Sequence, residues 1–252
     1  MVSDANSKLP KIVAAFWVMK ISATTLGETA GDLLSMTLNV GYAASSLILL
    51  SGFFLSLGAQ LFSKRYHPAL YWTVILSTST AGTTMSDYMD RTLGIGYTKG
   101  AALLVGILLC IFATWRFSTG TLSVDQVRTR KAELFYWIAI LFSNTLGTAL
   151  GDFLADSSGL GFLGGALLIG GLLALVLVAT FLTRLSRVLL FWIAFVLTRP
   201  FGATVGDVLT KSRDKGGLNF GTIGSSAILA GILVVFVVWE MFKTRREAAV
   251  AS

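Results

Sequence analysis

Thr25-Leu26-Gly27-Glu28-Thr29-Ala30-Gly31-Asp32 closes the first apolar run of the chain and returns three times. The copies are Thr80-Ala81-Gly82-Thr83-Thr84-Met85-Ser86-Asp87, Thr145-Leu146-Gly147-Thr148-Ala149-Leu150-Gly151-Asp152 and Pro200-Phe201-Gly202-Ala203-Thr204-Val205-Gly206-Asp207. A Trp stands fifteen residues before each Asp: Trp17, Trp72, Trp137 and Trp192. The steps from Asp to Asp are 55, 65 and 55 residues. This is a fourfold internal repeat, and such a period decides an architecture before any local detail does.

Of the 252 residues, 54% are hydrophobic and 13% charged, about half the charged share of an ordinary soluble domain. Mean hydropathy is +0.76, and several runs reach the ~20 apolar residues that cross a bilayer. Eight segments can be drawn, at 12–35, 40–62, 69–89, 97–117, 134–155, 161–182, 188–209 and 219–242. Odd segments start near a Trp and finish at the repeated Asp. Even segments follow short Gly-containing links: Leu38-Asn39-Val40-Gly41-Tyr42, Leu93-Gly94-Ile95-Gly96-Tyr97, Leu160-Gly161-Phe162-Leu163-Gly164 and Leu218-Asn219-Phe220-Gly221-Thr222. The expected fold is an all-α, multi-pass integral membrane protein of eight transmembrane helices, built as four tandem two-helix repeats. A short N-terminus, 1–11, precedes one transmembrane domain, 12–242, with repeats near 12–62, 69–117, 134–182 and 188–242 and a tail at 243–252. The longer middle step and the shared Thr-Leu-Gly-x-x-x-Gly-Asp of copies one and three predict two halves related by a pseudo-twofold axis along the membrane normal.

The net charge of +7 lies at the ends of apolar runs, where it sets topology rather than binding nucleic acid. Thirteen Lys and Arg residues fall on the Trp side and five, Arg91, Lys99, Lys211, Arg213 and Lys215, on the Asp side. The positive-inside rule then puts both termini in the cytoplasm and the Asp motifs toward the outer face. No small-residue cleavage site follows the first run, so no removable leader is expected. The single Cys110 and single His67 exclude an intrachain disulfide and a bis-His metal or haem site.

Residues three, four and seven before an Asp share its helical face. That gathers Thr29, Glu28 and Thr25 below Asp32; Thr84, Thr83 and Thr80 below Asp87; Ala149, Thr148 and Thr145 below Asp152; and Thr204, Ala203 and Pro200 below Asp207. Beside this stripe run Gly27/Gly31, Gly82/Ser86, Gly147/Gly151 and Gly202/Gly206, small pairs four apart that let helices approach closely in lipid. Four Asp faces can thus converge. A carboxylate at mid-membrane costs about 2.5 kcal/mol or more unless paired or wetted, so a cation or a proton is expected among them. The bland reading is that each Gly-Asp only caps a helix, and that the Trp residues are interfacial anchors. Two basic residues lie within spans as charge partner or gate. Arg199, eight residues before Asp207, is too deep to snorkel, whereas Lys20 can reach the cytoplasmic face. Counting Glu28 and the four Asp against these two leaves an interior charge of −3.

Four tandem two-span repeats, each with a Trp and a Gly-Asp, resemble the bacterial membrane proteins built from domain-of-unknown-function 347 repeats. The likeness runs from Trp17 to about Trp239. It implies the eight-helix plan and the bacterial inner membrane, without an established activity. Gly27-Glu28-Thr29-Ala30-Gly31-Asp32 also resembles the Glu-x-Gly-Asp signature of manganese/calcium–proton exchangers. It departs in placing Glu and Asp four apart, in having Leu33 where a basic residue follows, and in lacking Glu in the other copies.

These residues point to a secondary transporter or exchanger of a hard divalent cation coupled to protons. Carboxylate and hydroxyl oxygens suit Mn²⁺, Mg²⁺ or Ca²⁺, and crowded carboxylates share protons as a group. The expected cation ligands are Asp32, Asp87, Asp152, Asp207 and Glu28. Thr25, Thr29, Thr80, Thr84, Thr145, Thr148 and Thr204 supply hydroxyls. The expected partners are lipid, a small inorganic cation and protons, with no covalent cofactor and no nucleic acid. A carrier of a small organic cation or other polar solute and a non-transporting scaffold are the alternatives. No nucleophile–base pair or phosphate loop suggests an enzyme.

Overall fold

A computed structural model describes residues 8–251, so the first seven residues of the expected N-terminus lie outside the described chain. Among the described residues there are eight long helices: α1 (Ala14–Asp32), α2 (Tyr42–Phe62), α3 (Pro68–Asp87), α4 (Tyr97–Thr119), α5 (Arg130–Asp152), α6 (Gly161–Leu182), α7 (Arg187–Thr210) and α8 (Thr222–Ala251). Local chemistry sets several starts. Pro68 opens α3, where its missing N–H costs nothing. Thr129 Oγ1 accepts from the Ala132 N–H at the start of α5. Helix α7 runs through Pro200. Helix α8 does not stop at 242 but carries the expected tail on as helix to Ala251.

The odd helices α1, α3 and α5 do not end at their Asp. Each continues for five residues as a single π-helical turn, Leu33–Thr37, Tyr88–Thr92 and Phe153–Ser157. Helix α7 has no such turn; its chain leaves through a 3₁₀ turn at Arg213–Lys215. The links then use the left-handed backbone region twice, at Asn39 and Gly41 and again at Gly94 and Gly96, conformations that Gly and Asn adopt at least cost. In the third repeat the matching pair is Gly159 and Gly161, two to three residues earlier than the sequence alignment placed it.

Four odd helices make an inner bundle in cyclic order: α1 packs on α3, α3 on α5, α5 on α7, and α7 back on α1. The even helices stand outside, each against the odd helix of the following repeat: α2 on α3, α4 on α5, α6 on α7, and α8 on α1. The last repeat therefore completes the first. Exposed side chains on the outer helices are large and apolar, among them Leu55, Leu109, Leu175 and Val235. Six helices, α2 and α4 to α8, are long and apolar enough to cross a membrane. Helices α1 and α3 fall short because they carry Lys20, Glu28 and a run of Ser and Thr, most of them buried.

The small residues explain how closely the inner helices meet. A methyl group at Gly27 or Gly31 would strike Ser79 or Thr83 of α3; at Gly82, Asn144 of α5; at Gly147 or Gly151, Arg199 or Ala203 of α7; at Gly202 or Gly206, Thr24 or Glu28 of α1. The same contact recurs around the whole ring, as small-residue packing in lipid requires.

Three of the four repeated Trp residues are not membrane-interface anchors, and Trp17 is half-buried. Trp72, Trp137 and Trp192 are buried, as is Trp115, while Trp239 is exposed. With the aromatic residue preceding each, they form a closed circuit: Trp17–Phe16–Trp72–Tyr71–Trp137–Tyr136–Trp192–Phe191 and back to Trp17, with centroids 5.1 to 6.1 Å apart. Edge-on and tilted pairs at such spacing add about 0.5–1.5 kcal/mol each beyond area burial. Across the middle, the Tyr71 and Tyr136 hydroxyls meet at 2.6 Å. This circuit closes the Trp end of the inner bundle.

Candidate functional site

Above the aromatic circuit, the axis of the inner bundle carries three polar layers, and each layer comes from one position of the repeat. The uppermost holds the four Asp residues, all buried. Two cations that sequence reading had left in outer loops enter it. Arg91 Nε lies 2.8 Å from Asp87 Oδ1, and its Nη2 lies 3.2 Å from Asp152 Oδ2. Lys211 Nζ lies 2.7 Å from Asp32 Oδ2 and 3.1 Å from Asp207 Oδ1. Arg91 and Lys211 each stand four residues after their own Asp, so one turn of helix brings them back over it. Each then reaches the Asp of the next repeat. The first and third repeats have Met36 and Asp156 at this position, and the clamp pattern is therefore twofold.

Both clamps lie at the open edge of the layer. The Arg91 side chain is 31% exposed and that of Lys211 21%, against 2–4% for the carboxylates they hold. Burial works against the Lys211 ammonium, yet Asp207 and Asp32 on either side hold its pKa above the ordinary lysine value.

The second layer lies one turn deeper and contains Glu28, Thr83, Thr148 and Ala203. Glu28 Oε2 is 2.9 Å from Arg199 Nη2 and accepts from the hydroxyls of Thr83 and Thr148 at 3.2 Å each. The same guanidinium nitrogen donates to Thr83 Oγ1 at 2.5 Å, Thr148 Oγ1 at 2.7 Å and the Ser79 carbonyl at 3.3 Å. Arg199 Nη1 donates to the Thr24 carbonyl at 3.4 Å. Arg199 thus rises from the third layer to the axis, touching α1, α3 and α5 from α7. Its stem passes over Gly147, the position where a methyl group would collide with it.

The third layer holds Thr24, Ser79, Asn144 and the root of Arg199, with Lys20 one turn below. Lys20 does not snorkel to the membrane surface; it is fully buried. Its Nζ is 3.5 Å from Asn144 Oδ1 and 4.0 Å from the centre of the Phe195 ring. Asn144 is in turn held by a hydrogen bond from its Nδ2 to Thr78 Oγ1 at 2.9 Å.

The structure brings Asp32, Asp87, Asp152, Asp207, Glu28, Thr148 and Arg199 together along the bundle axis. It does not bring the other hydroxyls into the same space. Thr25, Thr80, Thr145 and Thr204 donate back to carbonyls of their own helices at Ile21, Leu76, Leu141 and Pro200. Thr84 does the same to Ala81. Thr29 donates to Leu26 and receives the Ser226 hydroxyl of α8 at 2.8 Å. The physical reason is position around the helix, about 100° per residue: the residue four before the Asp points at the axis, while those three and seven before it turn toward the outer helices.

Five residues of the site were missed or misplaced. Thr83 was placed on the Asp87 face but left out of the ligand set, and Ser79 and Asn144, at the Arg199 position of their repeats, were left out with it. Arg91 and Lys211 were hidden because the apolar segments were ended at the Asp, whereas the helix or its cap continues past it. With them, five carboxylates meet four cations, and the formal interior charge is −1 in place of −3. Among the described residues one group of carboxylates is tight enough to share an ion: single oxygens of Glu28, Asp32 and Asp207 all lie within 4.8 Å of one another.

A family model described as Repeat of Unknown Function (DUF347) matches the chain four times, over residues 15–66, 70–121, 135–186 and 190–246. No curated protein and no solved structure matches it.

Proposed function

Since the chain belongs to the family of DUF347 repeat proteins, whose description assigns no activity, we propose from the site itself that it is a secondary transporter of a hard divalent cation, exchanged for protons. In this reading all eight helices span the bacterial inner membrane, with both termini in the cytoplasm and the Asp layer toward the outer face. The thirteen-to-five bias of basic residues supports that orientation. The observation that carries the reading is the Glu28–Asp32–Asp207 triad, three buried carboxylates with oxygens within 4.8 Å, the donor set that suits Mn²⁺, Mg²⁺ or Ca²⁺. Lys211 is the tethered cation that holds Asp32 and Asp207 of this triad when no substrate is present. It sits on a flexible stem at the open edge, at the head of a link five residues longer than in the other repeats. An incoming ion displaces the ammonium and takes Asp32, Asp207 and Glu28 together.

The test is Mn²⁺ flux into proteoliposomes. Asp32→Asn and Asp207→Asn are each expected to lower flux at least tenfold, and Lys211→Gln to tighten Mn²⁺ binding. Undiminished flux in both Asn variants would end the proposal. A second reading is carriage of an organic ammonium, favoured by the primary ammonium of Lys211 already seated between Asp32 and Asp207. Thermal stabilisation by small amines with none by Mn²⁺ would select it.

A further inference from the structure

Glu28, Arg199 and Lys20 form a vertical stack of one anion and two cations. Glu28 compensates Arg199 at 2.9 Å. Lys20 has no such partner: among the described residues no carboxylate lies within 4.0 Å of its Nζ, and its neighbours are the Asn144 amide oxygen and the face of Phe195. Both side chains are 0% exposed. The charged group that faces Lys20 is Arg199 of α7. Helix α5 presents Asn144, α3 presents Thr78 behind it, and the aromatic circuit lies below. Burying an uncompensated ammonium is among the most expensive placements a protein makes, and the snorkelling that would relieve it does not occur.

We propose that Lys20 carries the exchanged proton, an inference that rests on the transport reading above. When a divalent cation enters the triad it draws on Glu28, the carboxylate that compensates Arg199. The guanidinium then shares its carboxylate with two positive charges that arrive beside it. The repulsion falls on the one group in the stack that can shed charge, since Arg holds its proton at any physiological pH. The Lys20 N–H bond breaks, the electron pair stays on nitrogen, and one proton leaves to water. On release of the ion Glu28 returns wholly to Arg199, and Lys20 is reprotonated. Arg199 is then a relay rather than a gate: it reports the occupancy of Glu28 to a lysine more than two helical turns away.

The experiment is calorimetric titration of the full-length protein in lipid nanodiscs with MnCl₂, repeated at one pH in buffers of different ionisation enthalpy, which counts protons released per ion bound. The wild-type protein is expected to release about one proton. Lys20→Met is expected to bind Mn²⁺ no more weakly and to release none. Asn144→Asp, which gives Lys20 a fixed counter-charge in place of the amide oxygen, is expected to fold with Lys20 intact and likewise to release none. It serves if Lys20→Met does not fold. Release of one proton by either variant, as in the wild type, overturns the assignment to Lys20 while leaving cation binding in place. Absence of Mn²⁺ binding in the wild type overturns the transport reading, and this one with it.

Discussion

The aromatic end of the inner bundle and its carboxylate end come from the same four repeats, fifteen residues apart along each odd helix, yet they keep different symmetries. At the aromatic end every repeat supplies a Trp and a Phe or Tyr, and the eight rings close into one circuit in which each copy does the same thing. At the carboxylate end four identical Asp residues are clamped in two pairs by Arg91 and Lys211, one cation from every second repeat. One turn deeper, a single Glu28 meets a single Arg199. Fourfold order gives way to twofold and then to none. Packing alone asks only for shape, and four copies of a shape satisfy it. Four like charges cannot satisfy one another, so cations must be brought in. The places where they enter are the places where the repeats stopped being equivalent. Those substitutions mark the end of the molecule on which the transport proposal rests.

The largest effects are expected where one member of an irreplaceable arrangement is removed, and they separate the two ends. Arg199→Met strands Glu28 as a buried unpaired charge, a class of change that costs about 3–5 kcal/mol. It is expected to abolish the folded peak in detergent chromatography. Adding Glu28→Gln to it removes the stranded charge and is expected to restore much of the thermal stability but none of the Mn²⁺ flux. Trp137→Ala opens a void in the aromatic circuit at a similar cost, about 3–5 kcal/mol. No second polar substitution is expected to rescue it, and flux per folded molecule stays near that of the wild type. If Trp137→Ala and Arg199→Met respond alike to Glu28→Gln, the two ends are not the distinct devices described here.

The readings that survived rest on exact recurrence. The four Asp residues, the Trp fifteen before each, and the small pairs are repeated without exception, and the structure gathers each set in one layer. The eight helices follow from the same period with apolar length. What sequence obscured is what recurrence cannot show. A periodicity reads Trp17, Trp72, Trp137 and Trp192 as equivalent but not whether they face lipid or one another, because both surroundings are apolar. Arg91 and Lys211 occur in only two copies and stand beyond the last apolar residue, so a hydropathy boundary assigned them to water. The π turns that carry Arg91 back over the layer leave no mark in composition. The hydroxyl stripe failed for a finer reason: residues three and four before an Asp differ by about 100° around the helix, which is the whole difference between facing the axis and facing an outer helix.

The smallest effect is expected at the seam where the cycle closes. Ser226 of α8 donates to Thr29 of α1 at 2.8 Å, a buried hydrogen bond joining the last repeat to the first. The equivalent places in the even helices are Ser46, Ala101 and Ala166, and those in the odd helices are Thr84, Ala149 and Thr204. Alanine thus already stands at half of the even positions, which means the packing of an outer helix on the next repeat does not depend on this hydroxyl. Interhelical hydrogen bonds in membranes average about 0.6 kcal/mol, and Ser226→Ala is expected to lower stability by about that amount, measured as a small shift in thermal unfolding, with flux unchanged. A loss several times larger would mean that the α8–α1 seam carries a strain the other three interfaces do not. The closed ring would then be held by its last repeat rather than shared equally among four.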